Sequence, residues 1–355
     1  MKAMVVLIVL VISASAFAQT FTGIGLPAGT EERRQFGLSA DGTTVVGSSS
    51  DAAFRWRADT GPTFLAGPIS VASSSSADGS IVAGAESPVA FSYQGFRWTQ
   101  AGGREALPGV NRLALLGPVI SYDGQVVAGT GDGEIDAVRW TAETGTVQVP
   151  LPPLDGFTSR RNLGATGINA TGDVIVGSVS VNVRPGEGFQ GSFIWTASGG
   201  TDYLRAADGT VIRQAGASAL SADGSVVLVT LGSTLNLWTS GNGLQLIPIL
   251  PQSYTIGLPV MSGDAMTVGS GGSIWTAAAG TRDVSAVLLE AGCDISGWSG
   301  LVVTGLSYDG RAMCGYGVNP QGLSEGWHAT VPSPWGVVVL AGVLGVGRRR
   351  RKPLA

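Results

Sequence analysis

From Thr20 onward the apolar residues arrive in short runs that alternate with polar ones, and none repeats at helical spacing for long. Thr43-Thr44-Val45-Val46-Gly47, Ala53-Phe54-Arg55-Trp56 and Thr146-Val147-Gln148-Val149 are typical, each a few residues long, rich in β-branched or aromatic side chains and bounded by Gly or Asp. Such runs predict strands covered by neighbouring elements. Between the first and second run of a set stands Asp-Gly, as at Asp41-Gly42, where the glycine accepts the positive φ of a tight hairpin turn. A third run ends in tryptophan, and a Gly-containing turn leads to a fourth. Four short strands per set and no amphipathic helix predict an all-β chain.

The set is a repeat. Gly-Leu-Ser-Ala-Asp-Gly-Thr-Thr-Val-Val-Gly at 37–47 recurs as Ser76-Ala77-Asp78-Gly79, Ser121-Tyr122-Asp123-Gly124, Ser221-Ala222-Asp223-Gly224 and Ser307-Tyr308-Asp309-Gly310. Drifted copies stand at Asn169-Ala170-Thr171-Gly172 and Ser262-Gly263-Asp264-Ala265. Each copy is followed by a tryptophan: Trp56, Trp98, Trp140, Trp195, Trp238, Trp275 and Trp327, separated by 42, 42, 55, 43, 37 and 52 residues. That period marks propeller blades and arrays. A four-stranded blade cannot bury both faces alone, whereas stacking blades around an axis covers them, with the tryptophan packed between neighbours. The expected fold is a β-propeller of about seven blades, with a β-helix or other β-repeat array as the alternative; unequal units would break a β-helical stack. Unit seven ends at Trp327-His328-Ala329-Thr330 without a fourth strand, while Thr20 to Leu26 matches the fourth-strand type and has no unit of its own. The N-terminal strand is therefore expected to close the last blade and remove the open edges of the ring.

The two ends read as addresses. An apolar stretch from Ala3 to Ile12 precedes Ala16-Phe17-Ala18, a small-x-small site for signal peptidase, so residues 1–18 are expected to be a signal peptide and Gln19 the mature N-terminus. At the far end Val331-Pro332-Ser333-Pro334 is followed by an apolar run from Trp335 to Val346 and then Arg348-Arg349-Arg350-Arg351-Lys352. The run is shorter than the ~20 residues of a comfortable span and its basic cluster is expected to stay cytoplasmic, so it reads as a temporary hold. This layout resembles the PEP-CTERM sorting tail of bacterial surface proteins, with Ser333 in place of the Glu of that family. The resemblance implies transient inner-membrane anchoring by residues 332–355, removal by an exosortase-type protease, and delivery of residues 19–331 to the cell surface or extracellular matrix.

Charge and candidate chemistry narrow the function further. Removing the six basic residues of the two ends from the 21 in the chain leaves 15, all Arg, against 25 acidic residues, formally −10. That balance lacks the basic footprint of a nucleic-acid binder. Cys293 and Cys314 are an even pair in a chain bound for an oxidising compartment and form a candidate disulfide, with two buried thiols as the alternative. Two cysteines and one histidine do not make a usual zinc site, and no metal or cofactor is expected. The aspartates of the repeated turn belong to separate units, too far apart to share an ion, and are expected to bond backbone N–H groups of their own turns. Gly-rich strings such as Gly269-Ser270-Gly271-Gly272 lack the Lys and helix of a phosphate loop. Acid pairs such as Glu31-Glu32 could serve glycoside chemistry, but no catalytic constellation stands out.

The units also resemble extracellular His-Ala-Phe repeats of exported bacterial proteins, and unit four carries the likeness best. There Gly167-Ile168-Asn169 is followed by Gly172, Val174, Ile175, Val176 and Gly177 and then by Phe193-Ile194-Trp195. The His of that motif is missing from every copy, and His328, which follows Trp327, reads as a strand position. The family carries no established activity. The expectation is a non-catalytic surface or matrix scaffold binding polysaccharide or other matrix partners; the alternatives are a propeller-fold carbohydrate-active enzyme and a permanently membrane-anchored scaffold. Connections between strands two and three vary most among units: Ala85 to Gln94, Thr130 to Asp136, Ser178 to Gln190 and Tyr316 to Glu325. Variable loops on a rigid scaffold are where recognition usually lives, which makes Tyr93, Glu134, Arg184, Glu187, Asn319 and Gln321 candidate ligand-facing residues.

Overall fold

In the computed structural model the described residues are 19–27, 36–50, 52–89, 92–111, 117–132, 136–150, 161–184, 187–249 and 258–332. They form seven four-stranded antiparallel sheets, each built from consecutive strands except the last. Blade one comprises Gly37–Leu38, Thr44–Ser49, Ala52–Arg57 and Gly61–Pro68. Blades two to six repeat that order. Blade seven takes Ser299–Leu306, Ala312–Val318 and Ser324–Thr330 from the end of the chain and its fourth strand, Thr20–Pro27, from the beginning. The pairs Thr20↔Thr330, Phe21↔Ala329, Thr22↔His328 and Gly23↔Trp327 join the ends. The chain is thus a seven-bladed β-propeller closed by its N-terminal strand.

Local chemistry explains the repeated turn. In blade two the Ser76 hydroxyl donates to Asp78 Oδ1 and accepts from Ile81 N, while the same Oδ1 accepts from Ser80 N. Gly79 takes φ 66° there, which a side chain would resist. Ser39 and Asp41, Ser121 and Asp123, Ser221 and Asp223, Ser262 and Asp264, and Ser307 and Asp309 make the same bonds. In the drifted unit four, Asn169 Oδ1 accepts from Val174 N in place of the serine.

These turns also tie the blades together. Asp41 N donates to Ala77 O, Ala77 N to Tyr122 O, Tyr122 N to Ala170 O, Ala170 N to Ala222 O, Ala222 N to Gly263 O, Asp264 N to Tyr308 O, and Tyr308 N to Ala40 O, all at 2.8 to 3.0 Å. The seven bonds form a closed annulus about the propeller axis.

Side-chain alternation along the third strands supplies the packing. Trp56 joins a cluster with Val302, Cys314 and Tyr316 of blade seven, and Trp140 one with Ala83 and Leu107 of blade two. Trp238 and Trp275 pack in the same way on blades four and five, so each tryptophan faces the preceding blade. One residue earlier the side chain must point the other way. Accordingly Arg55 Nε reaches Gly79 O, Arg97 Nε reaches Gly124 O and Arg139 Nε reaches Gly172 O, each on the following blade. The glycine after the second-strand valines lets that strand lie close to the first: a Cβ at Gly84 would collide with Val71 O and the Phe96 ring, and one at Gly177 with Gly164 O and Phe193.

Two expectations change. The pattern predicts no helix, yet Val284–Glu290 is helical, capped by Asp283, which accepts from Ala286 N, and buries Val284, Val287 and Leu288. Seven residues are too few to declare a helical period in sequence. The cysteines are free and buried. Cys314 packs with Trp56 and Phe36 on the blade-one side of its sheet, whereas Cys293 packs with Met313 and Trp327 on the opposite side. A sheet lies between the two thiols, so the expected disulfide does not form.

Candidate functional site

Both cavities described below lie on the rim of the Ser-x-Asp-Gly turns, opposite the connections that vary most in sequence. One, of about 640 Å³, is a groove at the seam where blade seven meets blade one. Thr20, Thr22 and Thr330 form its outer wall, Ala40 to Thr43 with Tyr308, Asp309 and Arg311 its inner wall, and Arg57 and Asp59 one end. The second, of about 580 Å³, is the axial mouth inside the annulus, lined by Ala40, Ala77, Ala170 and Ala222, three aspartates and two tyrosines. Ala40, Asp41 and Tyr308 line both, so the groove and the mouth adjoin at these residues, and the two together are called the trough.

The second residue of each turn decides the shape of the mouth. It is alanine in units one, two, four and five, glycine in unit six and tyrosine in units three and seven. Tyr122 of blade three reaches across to blade six: its Oη and the Tyr308 ring occupy the space where Gly263 would carry a Cβ. Burial, with Tyr308 and Asp264 nearby, pushes the Tyr122 phenol up to about 12. Tyr308 by contrast is 48% exposed.

Both arginines of the trough are paired with a carboxylate. Arg57 Nε stands 3.4 Å from Asp59 Oδ1 and Arg311 Nε 3.5 Å from Asp309 Oδ2. Asp78 is held down to about 2, chiefly by the Ser80 N–H and the Ser76 and Ser80 hydroxyls. The Ser221 hydroxyl does the most to lower Asp223. His328 is buried against the Trp56 ring, and its Nε2 stands 2.8 Å from Gly42 O of blade one. It thereby makes across the seam the bond that Arg55, Arg97 and Arg139 make elsewhere, because position 326 is glycine and residue 328 shares its face. Burial lowers the His328 pKa, so the ring is neutral near pH 7. With Nε2 committed to a carbonyl, this imidazole is a strut of the seam. Among the described residues no group of three or more His, Cys, Asp or Glu is placed to hold a metal ion.

The sequence-derived candidates are scattered. Ala16, Ala18, Ser333, Pro334 and Arg348 to Arg351 lie outside the described residues, as does Glu134. Gln19 is exposed, immediately before the closing strand. Val331 is 1% exposed, packs with Trp327, and donates its N–H to Arg311 O. Two presumed loops are largely strand: Val174–Arg184 and Glu187–Thr196 form a long hairpin in which Arg184 opposes Glu187, and Ile81–Val89 pairs with Ser92–Thr99, the strand that holds Tyr93. Asn319 turns inward, its Oδ1 accepting from Gln321 N and Leu323 N and its Nδ2 donating to Glu325. Glu325 in turn accepts from Gly25 N and pins the closing strand. The candidates that are described stand on blades two, four and seven. Tyr308, Tyr122, Arg57 and Arg311 were missed; the signal for the two tyrosines was the departure from alanine at the second turn position.

A closed seven-bladed propeller with a trough on its turn rim is the class that fold and site define. No family model matches the chain and no curated protein matches it. Among solved structures it is similar to the Swd1 β-propeller domain of Myceliophteria thermophila, at 11% identity and TM-score 0.51, covering 87% of this chain and 99% of that one. TolB from Acinetobacter baumannii aligns at 11% identity and TM-score 0.43, over 83% of this chain; the match spans 62% of the TolB chain. Hydrazine synthase of Kuenenia stuttgartiensis aligns at 13% identity and TM-score 0.49, covering 85% and 97% of the two chains. At these identities the likeness is one of fold.

Proposed function

We propose that this chain is exported and serves at the cell surface or in the extracellular matrix as a non-catalytic propeller that holds polysaccharide or another matrix partner. The observation that carries the reading is the trough itself, a largely apolar surface with hydroxyls and carboxylates set around the exposed Tyr308, whose one histidine is spent on a backbone carbonyl. Such a surface suits binding by many weak contacts. Signal peptidase would act before Gln19 and an exosortase-type protease beyond Val331, after transient anchoring in the inner membrane. Thr20 and Thr330 are paired neighbours, so trimming at those points would leave the ring closed. Incubating the secreted protein with polysaccharide purified from its host tests the reading. Retention without new reducing ends is expected. Release of reducing ends would make it a carbohydrate-active enzyme, and recovery only in membranes with the Arg cluster attached would make it a permanently anchored scaffold.

A further inference from the structure

We infer that the trough on the turn rim is the glycan site, and that it takes a linear, uncharged polysaccharide laid across Tyr308 from the axis to the seam of blades seven and one. This rests on the polysaccharide-binding reading and adds the rim, the contact residue and the class of glycan.

Shape comes first. The seam groove and axial mouth, about 640 and 580 Å³, meet at Tyr308 and share two further wall residues. A site with two lobes joined end to end fits several units of a chain better than one compact ligand. The joint carries the trough's exposed aromatic ring, 48% accessible, at a turn position where four other blades have alanine. A sugar presents a face of C–H groups, and an exposed ring offers the flat apolar partner for it; the rim of hydroxyls then seeks hydrogen bonds. Thr20, Thr22 and Thr43 supply hydroxyls along the groove wall.

Charge then selects among glycans. An acidic polymer needs guanidinium groups to spare, and each arginine of the trough has a carboxylate beside it: Asp59 for Arg57 and Asp309 for Arg311. With Asp41 in the groove and Asp78 and Asp223 at the mouth, five carboxylates line the trough against two guanidinium groups. A polyanion would meet repulsion there. An uncharged chain meets acceptors for its hydroxyl protons. A peptide is less suited, since a bound strand seeks an open sheet edge and the trough is walled by turns.

Affinity electrophoresis of the secreted protein tests this in gels cast with laminarin, dextran or mannan, with alginate or hyaluronate, and with the host polysaccharide. Tyr308→Ala and Tyr308→Phe are run beside the wild type. Alanine at this turn position occurs in four natural blades, so thermal unfolding of both variants should match the wild type. At least one neutral polymer should retard migration, and should still do so at about 0.5 M salt, where charge attraction is screened. Tyr308→Ala should weaken that binding about tenfold, the loss typical of an aromatic anchor, and Tyr308→Phe should keep it. Retardation by acidic polymers alone, by no polymer, or equally well in Tyr308→Ala would overturn the proposal. If the host polysaccharide retains Tyr308→Ala as it retains the wild type, the glycan-binding function stands and its site lies elsewhere. If that polymer retains neither, the function falls as well.

Discussion

Single residues in this propeller do the same job seven times, and the exceptions are informative. In six of the seven turns a serine and an aspartate satisfy one another and two backbone N–H groups, and in unit four Asn169 stands in for the serine. Replacing Ser76 with Ala leaves the Ile81 N–H without its acceptor and is expected to cost about 1–2 kcal/mol in denaturant unfolding. Gly84 is held by its neighbours: Gly84→Ala would drive a methyl into Val71 O and Phe96 and should cost about 3 kcal/mol. At the seam, His328 replaces the arginine hook. Its folded pKa lies below the unfolded value of 6.5, so the unfolded chain binds more protons in mild acid. The stability contributed by neutral His328 is complete above about pH 6.5 and is lost as pH falls from there towards the folded pKa. His328→Thr, the residue that follows most of the other tryptophans, should flatten this part of the stability profile. At pH 8 it should also lower stability by about 1 kcal/mol, through loss of the Gly42 bond. A urea-unfolding series between pH 5 and 8, in wild type and variant, checks both; identical slopes would refute the role given to the histidine.

At the scale of elements, the closing strand matters most. Phe21 stacks on Trp327 with centroids 5.6 Å apart and meets Trp298 edge-on at 5.2 Å. Removing Thr20–Pro27 exposes that aromatic cluster and an edge of blade seven. The deletion should lower the melting temperature far more than shortening the exposed turn at 142–144; equal losses would mean that the ring does not depend on its clasp. The short helix before blade seven offers a milder test. Asp283→Ala removes its cap and should cost about 1 kcal/mol, with the propeller otherwise intact.

For the whole molecule, closure places Thr20 beside Thr330 and Val331 on the turn rim, along the seam groove. Val331 belongs to the core and bonds Arg311, so a protease acting on the folded protein should cut beyond it. If the proposed export holds, intact mass of the protein from its host is expected to place the N-terminus at Gln19 and the C-terminus at Pro332 or later; an end before Val331 would contradict the packing. The same sample should titrate with two free thiols after denaturation without reductant. A mass two hydrogens short and no titratable thiol would restore the disulfide.

The seven units, their Asp-Gly turns, the buried tryptophans and the orphan N-terminal strand were legible in the sequence, because each is a local pattern of period two punctuated by residues with special backbone preferences. The candidate site was not. Its walls pair Ala40 with Tyr308 and Thr20 with Thr330, partners far apart in the chain that meet only because the ring closes. The cysteines, close in sequence, ended on opposite faces of one sheet, and the loops singled out for their variability proved in part to be strand, because hairpins there extend past their blades. Asn319 looked like surface chemistry and is a turn strut. Local sequence thus determined what each blade is, since strand, turn and packing face follow from neighbouring residues. Tertiary structure decided where a ligand can lie, since a groove between the first and last blades exists only once the ends of the chain have joined.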